Sequence, residues 1–235
     1  MKTICFEGIN GAGKSTQAQL LAGRLNREFP NNTTHLLHDP GVYAGHPADN
    51  DIRPLARFSG WNNEMTRMML YMAARSELIH FVNSLETSND FVVIDRFAAS
   101  FYAYGMDSFN AAATDFAYRT GINRFGRDNI TDLLRICNSF VPDIAVFLFI
   151  DINLAIERWK LVSSQRPDHY EQLGESYLKK LDRSYRDMIA KRKEYPYLGK
   201  VIITHPTISK ASLTPVNIHE SIWKELEHYL SEDTN

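Results

Sequence analysis

Residues 6 to 16, "FEGINGAGKST", restrict the fold of this chain more than any other stretch. Gly8, Gly13, Lys14 and Ser15 satisfy G-x-x-x-x-G-K-[ST], between an apolar run that ends near Glu7 and a helical pattern that opens near Lys14. A strand, a glycine-rich turn and a helix in that order build a phosphate cradle. The glycines let successive backbone N–H groups point inward, and the helix N-terminus adds its positive end. Asn10, Gly11, Ala12, Gly13, Lys14, Ser15 and Thr16 are therefore the expected triphosphate-binding residues. Lys14 is expected to place a charge on the outer phosphates, and the Ser15 hydroxyl to ligate Mg2+. The plainer reading, a turn that only joins strand to helix, loses ground because both flanking patterns are present.

The cradle predicts a largely parallel α/β sheet, and the rest of the chain agrees. "TICFEG", "TTHLLHD", "FVVIDR", "IAVFLFID" and "KVIITH" read as five strands separated by segments long enough for crossover helices. "IAVFLFI" is apolar without alternation, as a strand buried on both faces should be. Loops are expected at "FPNNTTH" and from 41 to 50. The 235 residues suit one domain rather than two. No apolar run approaches the roughly 20 residues of a membrane helix, so no membrane partner is expected. The start "MKTICFEG" lacks the features of a secretion signal, which makes the cytoplasm the expected compartment. A net charge of -2 gives no global reason to expect a nucleic-acid polymer as partner. Cys5 and Cys137 are too few for a disulfide framework and read as small buried hydrophobes.

Asp95 and Arg96 follow "FVVI", at the carboxyl end of a strand, where open α/β sheets bind ligands. Asp95 is expected to hold magnesium and Arg96 to face a phosphate; a surface ion pair is the alternative. From Arg158 to Lys193 there are ten Lys or Arg against five Asp or Glu. Within that basic stretch "SSQRPDHYEQ" interrupts two helical patterns and reads as a lid, near 158–172, whose Arg158 and Arg166 stabilise a transferring phosphoryl group. Solvated surface arginines are the competing reading. In "MMLYMAARSEL", Tyr71 and Arg75 lie four apart on one helical face, an arrangement that suits either a stacked nucleobase or core packing with a snorkelling arginine. Residues 105–128 mix aromatic, small and arginine residues with weak periodicity and form a possible insertion.

Together these segments resemble the thymidylate kinase family, a branch of the P-loop nucleoside-monophosphate kinases. "FEGINGAGKSTQ", "MLYMAARSELI", "DRFAASFYAYG", "PDIAVFLFIDINLAIER" and "RPDHYE" occur in the family's order over most of the chain. The resemblance implies a five-stranded parallel sheet flanked by helices, with a lid, in a homodimer. It implies ATP and Mg2+, and a reaction that converts dTMP to dTDP. Lys14, Arg96, Arg158 and Arg166 become the catalytic cations. Tyr71 would stack on thymine and Arg75 bond its carbonyl; Arg53 and Arg96 would hold the acceptor phosphate, and Tyr104 would lie under the deoxyribose. Asn10, Ser100 and Phe101 complete the implied acceptor site. Asn10 stands where an acidic residue is usual, Phe101 where a polar residue often reads the base, and Gly105 and His169 replace common side chains. The loop "INGAG" lacks the arginine that some members carry there, so the lid is expected to supply that charge.

Other readings stay open. A modified pyrimidine monophosphate suits the changes at Phe101 and Gly105. A deoxynucleoside kinase acting on a hydroxyl would need a carboxylate base, for which Asp39 in "HDPG" is the candidate. A nucleotide-dependent switch protein is disfavoured by the basic lid and by the lack of a guanine-reading "NKxD" segment.

Overall fold

The computed structural model describes residues 1–61, 63–85, 89–105, 140–162, 169–204 and 214–231. Strand β1 (Lys2–Glu7), which leads into the glycine-rich turn, is the middle of a five-stranded parallel sheet. With β2 (Thr34–His38), β3 (Phe91–Asp95), β4 (Ile144–Leu148) and β5 (Lys200–Thr204), the order is β2-β3-β1-β4-β5. All four pairings are parallel, and the register sets Phe6 opposite Asp95 and Glu7 opposite Phe147. All five expected strands form. β2 starts inside the stretch expected as a loop, because Thr34 already pairs with Phe91.

The helices are α1 (Lys14–Glu28), α2 (Arg53–Arg57), α3 (Glu64–Ser84), α4 (98–105), α5 (Ile152–Val162), α6 (His169–Gln172), α7 (Gly174–Ala190) and α8 (Pro215–Ser231). Residues Ala48–Ile52, expected in part as loop, make a short π-helical turn before α2. Local chemistry fixes several starts. The Asn63 side chain accepts from Met65 N at 2.8 Å to open α3, and Asp151 Oδ1 accepts from Asn153 N and Leu154 N at the start of α5. Leu178, Leu181, Tyr185, Met188 and Ile189 make the buried stripe of α7 at helical spacing.

β4 is buried at every position, as its unbroken apolar run requires, and Ile4, Phe6, Val92, Val93, Ile94 and Phe147 join it in one core. α1 covers that core through Ala18, Leu21 and Leu25, and Cys5 is buried in it. β2 and β3 lie on one side of β1 and β4 on the other, so the chain reverses direction across β1 and opens a crevice at its carboxyl end. Cys137, most of the possible insertion at 105–128, and the lid's middle with Arg166 lie outside the described residues.

Candidate active site

A cavity of about 740 Å³ fills the crevice and takes in the whole glycine-rich turn from Asn10 to Gly13 and the first residues of α1. The turn works because its glycines do. Gly13 caps α1 at φ 95° with no side-chain cap, and the first turn of α1 has no acidic residue, so its amides stay available to an anion. Gly11 has φ 82°, and a Cβ there would lie 2.3 Å from the Ala155 carbonyl oxygen of α5. Lys14 is 5% exposed, and its Nζ donates to the Ile9 carbonyl at 2.7 Å. Burial, then the neighbouring Arg96, pushes the Lys14 ammonium well below the usual lysine range. A triphosphate in the cradle would supply the missing counter-charge.

β3 delivers the second half of the site. Ser15 Oγ donates to Asp95 Oδ2 at 2.5 Å, while Asp95 Oδ1 is buried with no hydrogen-bond partner among the described residues. A hydroxyl and an unsatisfied carboxylate oxygen beside the cradle form a hard-oxygen donor set that fits a magnesium ion. Arg96 takes a left-handed backbone, φ 71°, and its amide donates to Phe6 O at 3.0 Å. Its guanidinium donates to Gly8 O at 3.1 Å, to Ser100 Oγ at 3.3 Å and to Asn10 Oδ1, and lies 5.2 Å from the Tyr104 ring centre. Tyr104 OH reaches the same Asn10 oxygen at 3.5 Å.

Arg53 enters from α2, its NH1 2.8 Å from both Asp49 Oδ1 and His38 Nε2. Tyr71, Met68, Phe101 and Gly105 form an apolar wall that Tyr170 of α6 completes; its ring centre lies 6.0 Å from that of Tyr71 and 5.1 Å from that of Tyr104. Arg158, half-buried on α5, also lines the cavity and has no hydrogen-bond or ion-pair partner among the described residues.

All the described residues expected at the site therefore meet at this cavity, apart from Arg75; Arg166 lies outside the described residues. Arg75 shares α3 with Tyr71 but is 0% exposed and lies behind the wall. Its Nε donates to Asp39 Oδ1 at 3.2 Å, and its NH2 to Asp39 Oδ2 and, at 2.8 Å, to Phe97 O. The guanidinium carbon sits 4.3 Å from the Phe101 ring centre. In this arrangement the Arg75 guanidinium has no exposed surface and meets the cavity through Asp39 and Phe101, which line it.

Two residues escaped sequence reasoning. Tyr170 sits in "RPDHYEQ", where attention to charge hid the aromatic ring. Glu7 ends β1 and is 1% exposed; its carboxylate accepts from the amides of Phe97, Ala99 and Ser100 and from Ser100 Oγ. A lone acid closing the apolar run Ile4, Cys5, Phe6 was the available signal, because a buried carboxylate requires donors.

The family model described as Thymidylate kinase matches residues 6–198. A thymidylate kinase of Thermosipho melanesiensis is 31% identical over 197 residues, covering 82% of this chain and 86% of that protein. A probable thymidylate kinase of Methanococcus maripaludis is 30% identical over 204 residues, 86% of this chain and 85% of that protein. The crystal structure of thymidylate kinase from Ehrlichia chaffeensis shares the fold, with a TM-score of 0.62 at 20% identity over 96% of this chain and 98% of that one. The Candida albicans thymidylate kinase structure does likewise, with a TM-score of 0.63 at 20% identity over 97% of this chain and 92% of that one.

Proposed function

The chain belongs to the thymidylate kinase family, and from that membership we infer that it transfers the γ-phosphoryl group of ATP to dTMP, giving dTDP. The observation that carries this reading is the convergence of two cationic stations on one cavity: Lys14 in the cradle, and Arg96 beside it just past the end of β3. The acceptor phosphate is already ionised near neutral pH, so the reaction needs charge neutralisation and alignment rather than a general base.

The cradle amides from Asn10 to Thr16 and Lys14 would hold the ATP phosphates. Ser15 and Asp95 would hold Mg2+, which when bound neutralises charge on the donor phosphates. Arg96 and Arg53 would grip the acceptor phosphate; Arg53 must then share itself between that phosphate and Asp49. Asn10, Tyr104 and Ser100 would border the sugar and phosphate, with the base against Tyr71 and Phe101. Arg75 would support that pocket from behind, by fixing Phe97 and Phe101. Arg158, lacking another partner among the described residues, is suited to reach the transferring group; Arg166 is proposed beside it from sequence alone.

A phosphate acceptor is favoured over a hydroxyl acceptor because Asp39, the candidate base, is occupied by Arg75. No helix among the described residues is long and apolar enough to cross a membrane. A cytoplasmic location and a single domain remain part of the proposal, as does a homodimer. Leu55, Phe58 and Met69, exposed on and beside α2 and α3, offer apolar surface for a second copy, which sedimentation would detect.

A steady-state assay with ATP and a panel of nucleoside monophosphates tests the reaction. dTMP should give dTDP, and Lys14→Ala should lower kcat by at least about 100-fold. No diphosphate from any monophosphate refutes the reading, and phosphorylation of free nucleosides alone replaces it with the hydroxyl-acceptor enzyme.

A further inference from the structure

Glu7 is a buried carboxylate for which the reaction as proposed has no use. Charged side chains are rarely placed this deep unless their donors are arranged around them, and here they are. Oε1 accepts from Phe97 N at 2.9 Å and Ala99 N at 3.0 Å; Oε2 accepts from Ser100 N at 3.0 Å and Ser100 Oγ at 2.5 Å. These amides are the unpaired donors at the start of α4, so Glu7 caps a helix that lies 90 or more residues along the chain. The helix cap and the glycine-rich turn share a neighbour, since Gly8 follows Glu7 directly.

Arg96 stands between the two. It precedes the capped amides, holds φ 71°, and donates from its side chain to Gly8 O at 3.1 Å. A left-handed arginine needs support from its surroundings. Support comes from Phe6 O on one side of Glu7, from Gly8 O on the other, and from the Glu7 carboxylate through Phe97, the residue after Arg96. The network continues outward: Ser100 Oγ, bonded to Glu7, lies 2.8 Å from Tyr185 OH on α7.

We propose that Glu7 is the positioning residue that sets Arg96 against the phosphate cradle, so that donor and acceptor phosphates are gripped at a fixed separation. Resting on the kinase reading above, this role makes Glu7 the rigid link between the cradle that begins at Gly8 and Arg96, 88 residues further along the sequence. The residue touches neither substrate. Its effect passes through the backbone of residues 97 to 100 and thence to Arg96.

Glu7→Gln keeps the length and volume but turns an NH2 toward backbone donors, which displaces α4 and loosens Arg96. A shift of about 1 Å at a reacting group costs on the order of 100-fold in rate, so kcat should fall by about that factor, with KM for ATP changed by less than about threefold. Glu7→Asp, which keeps the acceptor charge on a shorter stem, should recover part of the loss. Should Glu7→Gln fail to fold, as judged by circular dichroism and thermal melting, Glu7→Asp carries the test with the same split between kcat and KM. In an Arg96→Ala background the Glu7 substitution should alter kcat by less than about threefold, because its route of action is gone.

Full multiplication of the two losses would overturn the proposal, and so would a folded Glu7→Gln protein within about threefold of wild-type kcat. If the unmodified protein makes no dTDP, the reaction and the role built on it fall together. If it does and Glu7→Gln matches it, only the role of Glu7 falls.

Discussion

Asp39→Ala isolates the buried ion pair behind the apolar wall of the cavity. The Arg75 side chain is 0% exposed and that of Asp39 6% exposed, and the substitution removes both acceptors that the carboxylate offers. Only the Phe97 carbonyl, at 2.8 Å, would remain to Arg75 among these partners. Breaking a buried pair from one side costs about 3–5 kcal/mol, since the surviving charge stays desolvated. Asp39 lines the cavity, so water can follow the vacated carboxylate and the lower end applies, about 3 kcal/mol. For a chain of this length about 1 kcal/mol moves Tm by roughly 2–4 °C, so the melting point should drop by roughly 6–12 °C. Differential scanning calorimetry measures it. Adding Arg75→Met to Asp39→Ala replaces the guanidinium that has lost Asp39 with an apolar chain under the Phe97 and Phe101 rings, and should restore most of the loss. A drop under about 2 °C, or losses that simply add in the double variant, would refute the claim that the two charges depend on each other.

Asp95→Asn keeps shape but weakens the oxygen set beside Ser15; the Mg2+ concentration for half-maximal rate should rise by roughly tenfold or more, read from a metal titration at saturating ATP and dTMP. An unchanged titration curve would remove Asp95 from the metal site. His219 on α8 is buried with no hydrogen-bond partner for either ring nitrogen among the described residues, and burial, followed by Arg24, lowers its pKa. The folded chain thus resists the proton that the unfolded chain accepts, so this histidine's contribution to stability is present above about pH 6.5 and is lost as the pH falls below it. His219→Leu should flatten that part of the Tm-against-pH curve, and parallel curves for the two proteins would contradict the assignment.

How far the sequence could be read depended on the distance over which each feature is built. The phosphate cradle is contiguous: its turn and its helix start are made by residues 8 to 16, so pattern alone located it. Strand β4 announces itself because burial on both faces leaves no room for polar alternation. Arg96 was legible from its place past a strand end and Tyr104 from its order in the family, and the sheet register sets Asp95 beside Phe6. Arg75 shows what a helical face cannot tell. Spacing correctly placed it with Tyr71, but its direction depends on Asp39, 36 residues away on the loop after β2. Glu7 was overlooked for the same reason, since its donors come from the start of α4, 90 or more residues along the chain. Pairings of this kind follow from packing between elements, which no local pattern records.

The tight seat of Gly11 against the Ala155 carbonyl closes one path of redesign. A side chain at position 11 needs both a disfavoured backbone and a retreat of α5, the helix that carries Arg158. A cation placed at position 11 would therefore press on the helix that carries Arg158, the residue proposed to supply that charge. At this position the geometry does not accommodate both.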